Sequence, residues 1–200
     1  MLWPSPPWEG VTYWALDLET GGLDAKSDPI LAVGMVPIRG GAIRLAEAYA
    51  SLVRPEAPQG IRPDSMRAHH LVPQDVREAP ALAAVLADVD VRLREGALLV
   101  HNAALDVRFL RQAYRQTGLR WPGPTVVDTV ALLLKAARRA RFVDPDAPEI
   151  EPELNLSAAR RRVKLPEYAT HDALTDAIAA AELFLVLRRR LAARTLRDLR

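Results

Sequence analysis

Two carboxylates, Asp17 and Glu19, end an apolar stretch of the chain and come directly before Gly21 and Gly22. Residues 11–18 are apolar enough for a buried strand, in which side chains two positions apart point to the same face. Two like charges side by side at the end of a core strand repel each other and are costly to bury. A divalent cation, which prefers oxygen ligands, would stabilise them. An acidic turn that closes a hairpin is the alternative left open by these residues alone.

Asp106 is a third candidate acid, at the start of a predicted helix. The short apolar segment 97–100 indicates a buried strand, and Asn102 is a favourable N-cap for a helix over about 103–117. Asp106 then lies in the first turn of this helix. An acid at that position also interacts favourably with the helix dipole, which is the simpler explanation if Asp106 is considered alone.

Asp176 and His171 lie at the start of the last predicted helix, which runs to about residue 195 and which Asp172 or Thr170 can cap. Asp176 falls within the first turn and a half of that helix. His171, five residues earlier, adds a side chain that can take up a proton near neutral pH.

A mixed sheet is predicted to carry these residues. Apolar runs predict strands over about 11–19, 30–38, 42–53, 97–100 and 125–129, and helices over about 63–70, 81–94, 103–117, 130–140, 154–163 and 172–195. The short Gly40-Gly41 connection favours an antiparallel hairpin, whereas a helical crossover precedes the strand at 97–100. The predicted fold class is therefore α/β: an antiparallel three-strand meander plus parallel strands, flanked by helices.

Ligand sites in such sheets gather at the carboxyl ends of strands and at nearby helix N-termini. Asp17, Glu19, Asp106 and Asp176 are all expected there, where together they would carry a charge of about −4 that a folded protein tolerates poorly without metal. Two Mg²⁺ or Mn²⁺ ions would neutralise it. With His171, these are the parts of two-metal phosphodiester hydrolysis.

Three segments resemble the motifs of a known family, the DnaQ-like (DEDDh) 3′–5′ exonucleases. Asp17-Leu-Glu19-Thr-Gly-Gly-Leu23 resembles the first motif, residues 101–110 resemble the second, and residues 171–177 resemble the third. The resemblance covers about residues 11–187 and implies a ribonuclease H-like fold. The position of His171, five residues before the last Asp, is typical of the subtype that uses a His.

The resemblance implies a role for each catalytic residue. Asp17, Glu19 and Asp176 would hold the metal that bears the nucleophilic water, with His171 as general base. Asp17 and Asp106 would hold the second metal, next to the departing 3′ oxygen. The implied cofactors are two divalent cations, Mg²⁺ or Mn²⁺.

A second implied set contacts the substrate: Leu18, Thr20, Gly21, Gly22, Leu23, His101 and Asn102. The backbone of residues 20–22 would approach the terminal nucleotide, Leu23 would wedge against its base, and His101 and Asn102 would orient Asp106 or a phosphate. The family pattern has Thr-Thr-Gly or Thr-Gly after the Glu, so the missing side chain at Gly21 is expected to loosen the grip on the terminal sugar. Ala104-Leu105, where the family often has an aromatic residue, is interpreted as a packing change.

The predicted function is a stand-alone 3′–5′ exonuclease for repair or processing, with DNA favoured as substrate. The alternatives are a proofreading subunit of a DNA polymerase, an RNA-directed 3′ exoribonuclease, or a non-catalytic module that binds nucleic acid or docks on a polymerase. Arg160 to Arg162 are interpreted as phosphate ligands because they precede His171 closely, and Arg188 to Arg190 as a solvated helix face. Packing or surface roles are expected for His69 and His70.

Length and composition set broader limits. The 200 residues suit one domain with a core over about 11–187, preceded by a lead-in at 1–10 whose Trp rings cover a core edge or stack on bases. The absence of Cys excludes disulfides and thiolate metal sites and fits a cytoplasmic protein. No apolar stretch predicts a membrane span or a signal peptide. The net charge of +2 neither requires nor excludes nucleic acid.

Overall fold

The computed structural model describes residues 5–56, 60–143, 151–169 and 171–200. Six strands form one sheet: β1 (Tyr13–Thr20), β2 (Ile30–Arg39), β3 (Ala42–Ile43), β4 (Tyr49–Leu52), β5 (Ala97–Val100) and β6 (Val126–Asp128). Their order is β3-β2-β1-β5-β6, with β4 also paired to β2. β2 runs antiparallel to β1, β3 and β4, whereas β5 runs parallel to β1 and β6. The predicted mixed sheet is confirmed.

In the described part of the chain, six α-helices flank the sheet: α1 (Pro63–His69), α2 (Leu82–Glu95), α3 (Ala103–Gln116), α4 (Thr129–Val143), α5 (Leu156–Arg162) and α6 (Ala173–Arg190). Apolar residues at helical spacing explain α2 and α3, which bury Leu86, Leu93 and Phe109 against the sheet. Among the described residues, no helix combines the length and apolar character that crossing a lipid bilayer requires.

Alternating side chains of β1 separate two hydrophobic cores. Tyr13 and Ala15 pack on the face covered by α4, α5 and α6, whereas Leu16 and Leu18 pack on the face covered by α2 and α3. The alternation of a strand places Asp17 in line with the first of these rows. The Asp17 side chain therefore lies on the α6 face of the sheet.

The prediction of one continuous third strand over 42–53 is wrong. β3 and β4 are separated by a 3₁₀ turn at Leu45–Glu47. Between the pairs Ile38–Ile43 and Met35–Tyr49, β2 advances three residues while the facing chain advances six. Pro37 lies in this gap and has no N–H to donate to a continued ladder, which explains the interruption there.

The last helix ends earlier than predicted, at Arg190 rather than near residue 195. Ala192 has a left-handed φ of 48°, and the chain turns back so that the N–H of Trp8 donates to the Arg194 carbonyl at 3.0 Å. The Trp8 ring is buried and lies edge-on to Phe184, with the Arg188 guanidinium 4.0 Å from its centroid. Trp8 therefore has the packing role rather than a stacking role on bases, while Trp3 lies outside the described residues.

Gly34 lets α6 approach the sheet. It is paired with Asp17 across β1 and β2. A Cβ atom at this position would lie 2.2 Å from backbone atoms of Ala173 and Leu174, at the start of α6. Only glycine therefore allows the first turn of α6, which carries Asp176, to sit directly over Asp17.

We expect Gly34→Ala to push the start of α6 away from the sheet. Overpacking of this kind typically costs about 1–3 kcal/mol, and the free energy of unfolding in urea should fall by that amount. Gly10→Ala is the matched control, because no atom lies within 4 Å of a Cβ at that position. Equal stability of the two variants would contradict this role of Gly34.

Candidate active site

Three carboxylates converge at the end of β1. Asp17, Glu19 and Asp176 each place an oxygen within 4.8 Å of the others. Asp17 and Glu19 come from β1, and Asp176 comes from the first turn of α6. Glu19 is only 8% exposed. Oxygen ligands at this spacing are the donors that a hard divalent cation prefers, so the residues fit a metal site.

The backbone at the start of α6 holds Asp176 in place. The N–H of His171 donates to Asp176 Oδ2 at 2.8 Å. Asp172 caps the helix by accepting from the Thr175 N–H at 2.8 Å, whereas the alternative cap, Thr170, lies outside the described residues. His171 itself has a left-handed φ of 68°. Such strain in a residue other than glycine clusters at functional sites.

Asp106 reaches the same end of the sheet from the other face. It lies in the first turn of α3 and is 3% exposed. Burial raises the pKa of Asp106, and the backbone N–H groups of Asp106 and Leu18 oppose this by donating to its carboxylate and stabilising the charged form. Asp106 interacts electrostatically with Asp17 but is not one of the three carboxylates that lie within 4.8 Å of one another. Asp17 therefore has carboxylate neighbours on two sides.

Asp128, at the end of β6, positions the start of α3. Its carboxylate accepts from the N–H groups of Asn102 at 3.0 Å, Ala103 at 3.1 Å and Val130 at 2.9 Å. Asn102 stands at the N-cap position with a φ of 74°, but its side chain makes no capping hydrogen bond. The sequence predicts Asn102 as the capping residue, whereas the carboxylate that caps α3 is that of Asp128 on the neighbouring strand β6.

His101 is bonded to the scaffold by both ring nitrogens. Nε2 lies 2.8 Å from the Leu154 carbonyl, which can only accept, so Nε2 carries the proton. Nδ1 then accepts from the Thr129 hydroxyl at 2.7 Å. Burial lowers the pKa of His101 and keeps the ring neutral. The ring therefore ties the end of β5 to Leu154, two residues before α5, and both of its nitrogens bond to groups other than Asp106.

The turn after Glu19 is closed by its own hydrogen bonds. The Thr20 hydroxyl donates to the Gly22 carbonyl at 2.7 Å, and the Gly21 N–H donates to the Pro29 carbonyl at 2.8 Å. A Cβ at Gly21 would lie 2.7 Å from the Pro29 ring and 3.0 Å from the Gly60 carbonyl. A side chain at this position would meet Pro29, so packing accounts for the glycine, and the effect of Gly21 on a terminal sugar stays a prediction.

His69 supports this turn through a contact that the sequence does not reveal. His69 is buried, and its Nδ1 accepts from the Leu71 N–H at 3.0 Å. The proton therefore lies on Nε2, which donates to the Thr20 carbonyl at 3.3 Å. The expected packing role is correct, but the contact supports the turn that follows Glu19. In the sequence, only the nearby apolar residues Leu71 and Val72 indicate that His69 could be buried, and they do not identify the Thr20 carbonyl as its partner.

Leu18 and Leu23 differ in where their side chains point. Leu18 is buried in the α2–α3 core, so its side chain is not available to a ligand. Leu23 is 74% exposed beside the turn. Of the two leucines predicted to contact substrate, only Leu23 offers its side chain at the surface.

The family of the chain follows from a comparison of its sequence with protein-family models. The model of the RNase_T exonuclease family matches residues 14–184, which include all four acids and His171. The chain belongs to this exonuclease family. The predicted resemblance to DnaQ-like exonucleases is thereby confirmed.

Two curated relatives and one solved structure illustrate the similarity. The exonuclease is 34% identical over 182 residues to a Mycobacterium tuberculosis protein named as a bifunctional exonuclease/endonuclease, over 88% of this chain and 26% of the relative. It is 34% identical over 192 residues to the DNA polymerase III subunit epsilon-like protein of Rhodobacter capsulatus, over 95% of this chain and 25% of the relative. The chain thus spans about a quarter of the length of these relatives.

E. coli exonuclease I in complex with a dA16 oligonucleotide has a similar structure, with a TM-score of 0.76 at 16% identity over 91% of this chain and 42% of that chain. This similarity confirms the predicted ribonuclease H-like fold.

Arg160 is a structural residue of the exonuclease. It is 3% exposed, its guanidinium forms an ion pair with Glu182 Oε2 at 2.7 Å, and it donates to the carbonyls of Ala179 at 2.7 Å and Pro166 at 2.9 Å. The prediction that Arg160 binds a substrate phosphate is therefore wrong. The sequence shows that Arg160 is positively charged, but it does not show that the side chain is buried beneath α6.

The carboxylate cluster holds protons more tightly than isolated acids do. Burial, followed by the charges of Asp106, Glu19 and Asp176, raises the pKa of Asp17 well above its usual value. Burial is also the main cause that raises the pKa of Glu19 to about 7 and that of Asp106 to about 8. Near neutral pH the cluster therefore retains protons that a bound cation would displace.

We expect the stability of the metal-free exonuclease to fall as pH rises from about 5 to about 8. The folded pKa values of Glu19 and Asp106 lie above the unfolded values of 4.5 and 3.8, so the folded state binds more protons in this range. Each group can lower the free energy of unfolding by up to roughly 1.4 kcal/mol per pH unit, over the range in which it is ionised in the unfolded state and protonated in the folded state.

Urea unfolding in EDTA across this pH range measures the slope. Excess Mn²⁺ and the Glu19→Gln variant should each flatten it. A free energy of unfolding that increases with pH in EDTA would contradict the raised pKa values.

Proposed function

We propose that this exonuclease hydrolyses phosphodiester bonds at the 3′ end of DNA, single-stranded or frayed, and releases nucleoside 5′-monophosphates with two divalent cations and a His general base. The observation that carries the proposal is the convergence of Asp17, Glu19 and Asp176 from β1 and α6, with Asp106 on the other side of Asp17. Burying several carboxylates close together is energetically unfavourable. A bound cation would compensate for this cost, whereas acids that only form a surface turn would not need to be buried together.

The donor set suits Mg²⁺ or Mn²⁺, because every candidate ligand is a carboxylate. Asp17, Glu19 and Asp176 would hold one cation, and Asp17 and Asp106 would hold the second. The cations would supply Lewis acidity toward the attacking water and toward the departing 3′ oxygen.

Side chains and backbone of the chain would do the remaining work. His171 is exposed one turn before Asp176 and would take the proton of the attacking water. Leu23 would pack against the terminal base, and the turn at residues 20–22 would limit how close that nucleotide approaches. His69 would keep the turn in position through its bond to the Thr20 carbonyl.

DNA is favoured as substrate by the structural neighbour, which is described in complex with a dA16 oligonucleotide. A stand-alone repair or processing role is our first choice. A proofreading role is the second candidate function, and it is favoured by the relative that is named as a DNA polymerase III subunit epsilon-like protein. Digestion of end-labelled single-stranded DNA, mismatched duplex and RNA with Mg²⁺ or Mn²⁺ distinguishes these substrates.

Neutralising a proposed metal ligand should abolish cleavage without unfolding the protein. We expect Asp17→Asn and Asp106→Asn to lower kcat on single-stranded DNA by more than about 100-fold, beyond the 10–100-fold typical of residues outside the first shell of a metal. Glu78→Gln is the control, because Glu78 is an exposed carboxylate that is not one of the four converging acids. EDTA should stop the wild-type enzyme. Full activity of Asp17→Asn, or of wild type in EDTA, would disprove the metal mechanism.

Removing the proposed base should slow the reaction most near neutral pH. We expect His171→Asn to lower kcat by about 10²–10⁴-fold at pH 7 and by less in alkaline buffer, where hydroxide is more abundant. Asn tolerates the left-handed φ of this position, and the N–H bond to Asp176 belongs to the backbone and is retained. Mn²⁺ affinity, measured by calorimetry, should be unchanged. A pH–rate profile identical to that of wild type would remove His171 from the base role.

A further inference from the structure

The outer face of α3 carries only positive charge. Arg108, Arg111 and Arg115 are spaced three and four residues apart, so they lie on one face of the helix, and all three are exposed. Within the described ranges, none of them takes part in an ion pair. The single acid on α3 is the buried Asp106.

The exposed faces of α1 and α2 are arranged differently, whereas α4 also carries arginines without an acid. α1 pairs Asp64 with Arg67, and α2 pairs Asp90 with Arg94 at 2.6 Å. Like charges three or four residues apart on a helix are destabilising, so a solvated face normally mixes the two signs. The arrangement on α3 indicates an anionic partner.

This face is continuous with the candidate active site. Arg108 lines a surface cleft of about 370 Å³ together with Gly22, Leu23 and Arg62, and the exposed acids Asp24 and Asp64 line the same cleft. The adjoining cleft, of about 420 Å³, is lined by Lys26, Arg108, Arg111, Arg115 and Trp121. The eight helical residues from Arg108 to Arg115 span roughly 10 Å, so their guanidinium groups can contact successive phosphates of one strand.

An aromatic ring accompanies the charges. The Arg111 guanidinium lies 5.9 Å from the centroid of Trp121, which is half-buried. A positive groove combined with an aromatic side chain is typical of surfaces that bind single-stranded nucleic acid, since the charges follow the backbone and the ring meets a base.

We propose that Lys26, Arg108, Arg111 and Arg115, together called the α3 basic surface, bind the phosphates of the single-stranded tail whose 3′ end enters the active site. This inference rests on the proposed function, because it assigns the rest of the substrate strand to a surface outside the metal site. Arginine suits this task because its planar guanidinium binds phosphate oxygens in pairs.

The test compares two triple variants that each remove three positive charges. The first carries Arg108→Gln, Arg111→Gln and Arg115→Gln, and the control carries Arg44→Gln, Arg189→Gln and Arg197→Gln. The control arginines are also exposed, and Arg44 and Arg189 lie at the far ends of β2 and α6 from the acids. Fluorescence anisotropy in EDTA measures binding of a thymidine oligonucleotide of about 12 nucleotides and of the dinucleotide, between about 50 and 200 mM salt.

The α3 triple variant should weaken oligonucleotide binding at least about tenfold and reduce the slope of log affinity against log salt by about 2, since each single-strand phosphate contact contributes about 0.7. Binding of the dinucleotide should be unchanged, because it reaches only the active site. Binding does not require cleavage in this assay, so failure of the proposed chemistry would appear separately, as an inactive wild-type enzyme with Mg²⁺ and Mn²⁺.

Three results would overturn the proposal. Equal effects of the two triple variants would show only a general charge effect. An equal loss for the dinucleotide would place these arginines in the active site itself. A loss confined to duplex with a 3′ overhang, with single-strand affinity unchanged, would assign the surface to the complementary strand.

Discussion

Mutual repulsion among the carboxylates at the end of β1 is the constraint on which the rest of the structure depends. Burial is the main cause that raises the pKa values of Asp17 and Glu19, and the charges of neighbouring carboxylates raise them further. No described lysine or arginine forms an ion pair with Asp17, Glu19, Asp106 or Asp176. Backbone N–H groups stabilise two of them instead, at Asp106 and Asp176. A protein that keeps acids together in this way retains a place for external positive charge.

The scaffold meets this constraint with residues that do no chemistry. Gly34 lets α6 approach β2, Asp128 fixes the start of α3, and His69 holds the turn after Glu19. Each acts on the backbone of the element that carries an acid, rather than on the acid itself. The positions of the carboxylates are therefore determined by sheet and helix packing, and a long flexible side chain is not needed to reach the site.

The sequence predicts the parts of this arrangement that are local. The apolar segment before Asp17, the buried strand before His101 and the cap at Asp172 depend on neighbouring residues, and their elements form where expected. The rule that strand ends and helix starts meet at one edge of a sheet then brings the acids together.

Contacts between residues distant in the chain were not predictable from the sequence in the same way. Asp128 caps α3 from 25 residues away, and Arg160 is buried because α6 lies over it. The interruption between β3 and β4 depends on Pro37 in the facing strand rather than on residues 42–53. The arginines of the α3 basic surface are separated in the sequence and become neighbours only on a helix, whereas the runs at 160–162 and 188–190 are contiguous in the sequence.

The turn after Glu19 shows how the structure changes the interpretation of substrate preference. Glycine at position 21 stands where one form of the family pattern has a second threonine, and the missing side chain suggested a looser grip on the terminal sugar. In the folded chain the missing Cβ instead accommodates Pro29 and the Gly60 carbonyl, so packing alone accounts for the glycine. The exposed Leu23 and the positive charges that begin beside it at Arg108 are the groups that a nucleic acid would meet. Discrimination between substrates is therefore expected to depend on the side chains beyond the turn, and the turn itself fixes their distance from the acids.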